Sequence, residues 1–131
     1  MAQLNCIVVT PEETALEEKS DFVALPLFDG EIGIAPGHSP MIGRLGYGEM
    51  RIHSGTTVYR YYVDGGFVQV ADNVVSVLTN RAVPAEQLDA EVANEQLENA
   101  RKRPANTSEL MEIRDRFVEQ ARAQKRVANR S

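Results

Sequence analysis

The sequence predicts two unlike parts: an antiparallel β-sandwich or barrel over residues 1–83, then an antiparallel two-helix hairpin over residues 84–131. Three observations predict this. Up to Val83, short apolar or alternating segments are broken by turn residues about every 8–12 positions, the spacing of small all-β domains. From Ala85 to Lys102 the chain has no Gly or Pro and is rich in Glu, Gln, Leu and Ala, all good helix formers. Charge divides as well: residues 1–100 hold 5 basic and 15 acidic side chains, whereas residues 101–131 hold 9 basic and 4 acidic.

Leu4–Val9 alternates apolar and smaller residues and stops short of Pro11, which reads as a strand. Cys6 falls in step with Leu4 and Val8, as one more small core side chain. It is the only cysteine, which excludes an internal disulfide and fits a reducing compartment. Glu12-Glu13 and Glu17-Glu18 read as solvated turn and edge-strand charges. Phe22–Phe28 is almost continuously apolar and suits a buried strand, with Pro26 forcing an edge or a bulge. Asp29 to Pro40 then packs three glycines, two prolines and His38 around Ile32-Gly33-Ile34, and reads as a rigid, shaped loop system. Glu49–His53 and Thr57–Val63 flank Ser54-Gly55-Thr56 as a hairpin. Phe67–Val70 and Val74–Thr79 flank Ala71-Asp72-Asn73 as a second, since Asn and Asp tolerate the positive φ of tight turns. Gly65-Gly66 between the hairpins marks a bend or a close approach of another backbone.

In the second part, Pro84 opens a helix where its missing N–H costs nothing, and Glu86 follows in the first turn. Leu88, Val92 or Ala93, Leu97 and Ala100 recur at helical spacing, and Arg103-Pro104 ends the run. Asn106-Thr107-Ser108-Glu109 resembles a capping-box start for a second helix, with a stripe of Leu110, Ile113, Phe117, Ala121 and Ala128. A connection of about four residues makes the two helices fold back antiparallel. Their thin, alanine-rich stripes bury little area, so the hairpin must dock on the β part or on a partner. That makes it a candidate two-state element.

At 131 residues, 43% apolar and 25% charged, the composition is that of a soluble globular chain. No apolar run approaches the ~18 residues of a membrane span, and the N-terminus lacks a basic segment followed by an apolar one. Chemistry is hard to place. There is no phosphate-binding loop with its lysine. His38 and His53 have no Cys or paired carboxylate at metal-ligand spacing, so no metal site is expected. Ser39 beside His38 lacks the third member of a triad and an oxyanion hole. The basic tail carries only Phe117 among aromatics, which argues against nucleic acid as its partner. The residues describe an interaction protein without a catalytic site. A free-standing adaptor that binds an acidic protein through its basic helical tail fits them too. A small-molecule or isomerase-type barrel enzyme would need an acid–base pair that is not visible.

An ordered set of segments is similar to the epsilon subunit of F-type ATP synthases. Asp29-Gly30-Glu31-Ile32-Gly33-Ile34 with Pro36-Gly37-His38-Ser39-Pro40 looks like that family's central signature. Gly46, Gly48 and Arg51-Ile52 match its next strand, and Gly65-Gly66-Phe67-Val68-Gln69-Val70 with Asn73 to Leu78 continues the match. The resemblance implies a β-sandwich at the foot of the central stalk, bound to the gamma subunit and resting on the ring of c subunits. It implies contact with that ring or with gamma through Asp29, Gly30, Glu31, Gly33 and His38, with Glu31 at the tip of a loop and Ile32 and Ile34 anchoring it. It implies that the hairpin can extend into the alpha/beta hexamer and hinder ATP hydrolysis, with Arg114, Arg116, Arg122, Lys125 and Arg126 meeting an acidic segment of the beta subunits. The chain itself would be no enzyme, and would meet the membrane only indirectly, on the cytoplasmic face of a bacterial inner membrane. Some relatives bind ATP through a helical motif whose counterpart here runs Leu88-Asp89-Ala90-Glu91-Val92-Ala93. Leu88, Asp89 and Ala93 match it, but Val92 stands where the motif has arginine, so weak or no ATP binding and no cofactor are expected.

Overall fold

A computed structural model describes residues 3–129. Strand β1 (Leu4–Val9) buries Leu4, Cys6 and Val8 and turns Asn5, Ile7 and Val9 towards the opposite face. It pairs antiparallel with β2 (Thr14–Ser20), whose Glu17 and Glu18 lie on an edge as expected. Strand β3 (Phe22–Leu27) turns through Phe28-Asp29 into β4 (Gly30–Ile34). The first part of the segment expected as a loop, Gly30–Ile34, is therefore a strand. Its glycines pair with β3 instead of leaving the ladder, because Ile32 and Ile34 point into the core and fix the register. Strands β5 (Met41–Arg44), β6 (Tyr47–Ser54) and β7 (Thr57–Asp64) follow, then β8 (Phe67–Ala71), β9 (Val74–Leu78) and β10 (Ala82–Pro84).

The strands form two five-stranded sheets, in the orders β2-β1-β9-β8-β5 and β10-β7-β6-β3-β4. Both expected hairpins are present, as β6–β7 and β8–β9. Asp72 and Asn73 make the β8–β9 turn with φ of 51° and 63°, the left-handed pair that a two-residue hairpin turn needs. Pairing of β1 with β9 is parallel, because the chain crosses into the second sheet between them and no tight turn dictates their sense. Pro26 lies beyond the three residues that β3 pairs with β6, so its missing N–H interrupts nothing. Gly66, at φ 108°, is where two backbones nearly touch: a Cβ there would stand 1.9 Å from the Leu78 carbonyl oxygen.

Side chains from both sheets fill one core, with Leu4, Val8, Val23, Leu25, Met50, Ile52, Val63 and Val77 among its buried members. The helical part differs from expectation at its start. Pro84 ends β10, Ala85–Gln87 forms a single 3-10 turn, and Leu88 is extended. Helix α1 (Ala90–Arg101) begins only after Asp89, whose Oδ1 accepts from the Glu91 and Val92 amides at 2.8 and 3.4 Å. An Asp that can cap outcompetes propensity, so the first helix is shorter than the Gly- and Pro-free run. Helix α2 (Ser108–Asn129) starts at Thr107, whose Oγ1 accepts from the Leu110 amide at 3.1 Å. Leu110 occupies the position of the reciprocal glutamate, so only half of a capping box is made.

The helices run antiparallel, and α2 lies across the outer face of the second sheet. There Ala123 and Val127 bury against Tyr62 and Ala85, flanked by Tyr47, Val83 and Leu88. On α1, Ala93 is the buried alternative and Val92 is 48% exposed. Phe117, expected in the α2 stripe, is instead exposed, with the Arg103 guanidinium 4.3 Å above its ring. The face of α2 that meets Tyr62 carries Ala123 and Val127 instead.

Burial pushes the Cys6 thiol up from 9.0 to about 12. An unfolded chain therefore gives up this proton first as pH rises. The stability linked to the protonated, buried thiol is fully present below pH 9.0 and is lost progressively towards about 12. Denaturant titrations within that window should show unfolding free energy falling by up to ~1.4 kcal/mol per pH unit, and Cys6→Ala should flatten the fall. Tyr62, whose phenol is raised by burial and by Asp64, adds its loss only above 10.0. An unchanged slope between 9.0 and 10.0 in the variant would contradict the assignment to Cys6.

Candidate functional site

Alternation along β6 and β7 gives the second sheet two working faces. Met50, Ile52, Tyr59, Tyr61 and Val63 face the sandwich core, which leaves Tyr47, Glu49, Arg51, Arg60, Tyr62 and Asp64 on the outer face. Glu49 is paired in register with Tyr62, and Arg51 with Arg60. A line of charges crosses this face. Arg51 Nη2 donates to Glu31 Oε1 at 2.8 Å and its Nη1 to Glu49 Oε1 at 3.2 Å. Arg60 Nε donates to Glu49 Oε2 at 2.9 Å, and Arg60 Nη2 reaches the Val127 carbonyl of α2 at 3.2 Å. Glu49 is only 6% exposed, a buried carboxylate held between two guanidinium groups. The hydrogen bond to Glu31 is the main reason that Arg51 holds its proton more tightly than usual, against the opposing effect of burial. A second polar tie joins sheet and helix, with Gln120 Nε2 donating to Asp64 Oδ1 at 3.0 Å and Tyr62 Oη to the same oxygen at 3.3 Å.

Of the expected contact residues, Asp29 lies in the β3–β4 turn, while Gly30, Glu31 and Gly33 are strand residues. Glu31 is not at a loop tip: it pairs with Pro26, and its half-exposed side chain lies against Arg51. Gly33 has no Cβ because the Phe22 ring occupies that space, 2.5 Å from where one would be. His38 sits elsewhere, in the segment that precedes β5. Its Nδ1 is 2.7 Å from the Ser39 carbonyl, and the Gly37 amide donates to Asn73 Oδ1 at 2.7 Å, tying this loop to the β8–β9 turn.

The basic residues of α2 do not form one cationic face. Arg114 pairs with its neighbour Asp115 at 3.1 Å, and Lys125 Nζ donates to Asn94 Oδ1 at 3.0 Å. Arg116, Arg122 and Arg126 line a groove towards the sandwich together with Glu112, Asp115 and Glu119. In the Leu88–Ala93 segment, Asp89 is spent as a helix cap, Ala93 is buried and Leu88 packs beside Tyr62. No metal-binding group of three His, Cys, Asp or Glu occurs among the described residues.

Sequence reasoning missed a further surface. The outer face of the first sheet carries Ile42, Phe67 and Leu78, exposed by 76%, 57% and 51%, and nothing of the described chain covers them. Phe67 pairs directly with Leu78 and also with Arg44, whose guanidinium lies 5.0 Å above the equally exposed Phe28 ring. Period-two alternation holds the signal, because Val68, Val70, Val75 and Val77 claim the core and leave large residues on the other face.

One sheet covered by its own helices and the other carrying exposed apolar side chains define a β-sandwich with an appended helical hairpin. Residues 3–85 match the family described as ATP synthase, Delta/Epsilon chain, beta-sandwich domain. The chain is 50% identical over 125 residues to the ATP synthase epsilon chain of Rhodopirellula baltica, covering 95% of this chain and 98% of that one. It is 42% identical over 96 residues to the epsilon chain of Desulfitobacterium hafniense strain DCB-2, 73% of either chain. A chain of the Euglena gracilis mitochondrial ATP synthase (OSCP/F1/c-ring, rotational state 1) superposes with a TM-score of 0.87 at 25% identity, over 96% of this chain and 81% of that chain. A chain of the Tetrahymena thermophila mitochondrial ATP synthase central stalk and c-ring shares the fold, with a TM-score of 0.77 at 13% identity over 97% of each chain. This chain belongs to the ATP synthase epsilon chain family.

Because α2 is held through few side chains, it should separate from the sandwich under a local substitution. Ala123→Asp places a carboxylate against Tyr62 and should weaken docking by at least about 2 kcal/mol. Amide exchange is expected to rise throughout α2 while β1, β8 and β9 stay protected. Equal loss of protection in both parts would show that they fold as one unit.

Proposed function

We propose that this chain is a non-catalytic central-stalk subunit of a proton-translocating F-type ATP synthase, joining the gamma subunit to the ring of c subunits. The observation that carries this reading is the open apolar face of Ile42, Phe67 and Leu78 on a sandwich whose opposite sheet is already covered. A face of that kind is expected where a large partner docks. Asp29, Gly30, Glu31, Gly33 and His38 belong to the contact with the c ring and gamma, the first four through the β3–β4 hairpin and His38 through its tethered loop. No helix among the described residues is long and apolar enough to cross a membrane. The proposed place is peripheral, on the cytoplasmic face of a bacterial inner membrane, held there by the complex.

The hairpin is the regulatory part in this reading. Undocked, it would extend along gamma into the alpha/beta hexamer and hinder ATP hydrolysis, with Arg114, Arg116, Arg122, Lys125 and Arg126 facing acidic surface of the beta subunits. Docked, three of these five share a groove with Glu112, Asp115 and Glu119. Nucleotide plays little part, since Asp89 is occupied as a cap and Val92 offers no charge to a phosphate.

Co-purification of the full chain with gamma and the c ring tests the assignment; recovery of the chain alone or with an unrelated acidic protein would point to an adaptor instead. Deleting residues 85–131 should leave proton coupling intact and raise ATPase activity of the assembled complex. Unaltered ATPase would remove the inhibitory role. In calorimetric titrations ATP should bind the isolated chain weakly or not at all, and a micromolar dissociation constant would overturn that expectation.

A further inference from the structure

We propose that the ion-pair line across the second sheet couples Glu31 on β4 to the docking of α2, so that engaging Glu31 with a cationic group loosens the hairpin. Every link is in place: Glu31 to Arg51 at 2.8 Å, Arg51 to Glu49 at 3.2 Å, Arg60 to Glu49 at 2.9 Å, and Arg60 to the Val127 carbonyl at 3.2 Å. Val127 lies in the last turn of α2, where the helix dipole favours a cation. Arg60 is therefore the tie between sheet and helix end. It is aimed by Glu49, whose Oε2 accepts from both its Nε and its Nη2, and Nη2 also reaches the carbonyl.

Glu49 is shared, and that is what makes the line a relay. Arg51 divides its guanidinium between Glu31, half exposed, and Glu49, almost fully buried. When Glu31 turns to a cationic or strongly donating partner, Arg51 turns wholly to Glu49 and competes with Arg60 for its charge. Arg60 then loses its aim, and the Val127 carbonyl loses the Arg60 donor. The competition is local because register pairing sets Arg51 beside Arg60 on neighbouring strands. The tie from Gln120 to Asp64 lies outside this line and should be unaffected by Glu31.

The inference rests on the reading of the hairpin as the part that moves, but its test needs no other subunit. Amide exchange of the isolated full chain, followed by mass spectrometry, compares α2 peptides with those of β1 and β9. Arg60→Gln should speed α2 exchange about tenfold or more, the loss expected for a hydrogen bond made by a charged group. Glu31→Gln should speed it by about two- to fivefold, since a half-exposed ion pair carries a small energy. In an Arg51→Gln background the same Glu31→Gln change should have no effect, because no guanidinium remains to compete. Glu31 and Arg51 lie on the surface side of the sheet, and protection of β1 and β9 in the same spectra verifies that these variants fold. Unchanged α2 exchange in Glu31→Gln, or an acceleration that persists without Arg51, would overturn the relay while leaving the stalk assignment untouched. Failure to co-purify with gamma would do the reverse.

Discussion

Strand β7 has to satisfy two surfaces at once, and the rest of the molecule is arranged around that constraint. Tyr59, Tyr61 and Val63 complete the sandwich core, while Arg60, Tyr62 and Asp64 receive the helices. A strand buried on both faces would ordinarily be apolar throughout. Here the outer face mixes one large aromatic with charges. Tyr62 supplies area for Ala123 and Val127, and its neighbours supply directed polar contacts to Gln120 and the Val127 carbonyl. The mixture fixes where α2 lies without sealing it in place, since directed polar contacts give register and can be exchanged for other partners.

How much of this was legible in the sequence depends on whether the signal was local. The β8–β9 turn was, because Asp72 and Asn73 carry its positive φ in their own chemistry. Gly66 was legible as a close approach for the same reason, although Leu78 as the approaching strand was not. Strand β4 was hidden by its glycines and by the prolines that follow. Only the burial of Ile32 and Ile34 against strands distant in sequence makes it a strand. Strands β5 and β10, of 4 and 3 residues, are too short for periodicity to register. The α1 start was misplaced because helix propensity does not see that Asp89 is free to cap and Leu88 is drawn towards Tyr62.

The functional surfaces divide in the same way. Residues of the Asp29–Gly33 segment stand out by composition, yet what Glu31 touches depends on the β3–β6 register that brings Arg51 beside it. Nothing local in the sequence marks Glu49, Arg51 and Arg60 as linked. Their meaning appears only when α2, beginning more than forty residues after Arg60, lays a carbonyl over them. The tail is basic by count, and helical spacing interleaves Glu112, Asp115 and Glu119 with Arg116, Arg122 and Arg126 along one groove.

Magnitudes explain why a single charged contact can matter to the hairpin. Docking is centred on Ala123, Val127, Ala85 and Tyr62, and two of the three buried partners of the tyrosine are alanines. At about 0.8 kcal/mol per buried methylene, such small side chains contribute only a few kcal/mol, before the cost of ordering α2 is subtracted. A hydrogen bond from a guanidinium to a carbonyl contributes roughly 1.5–3 kcal/mol. The two quantities are of the same size, so the Arg60 tie is not an ornament on a hydrophobic interface. Had Phe117 occupied the place of Ala123, apolar area would have dominated and no ion pair could shift the balance. The alanine-rich stripe keeps the hairpin within reach of electrostatic control.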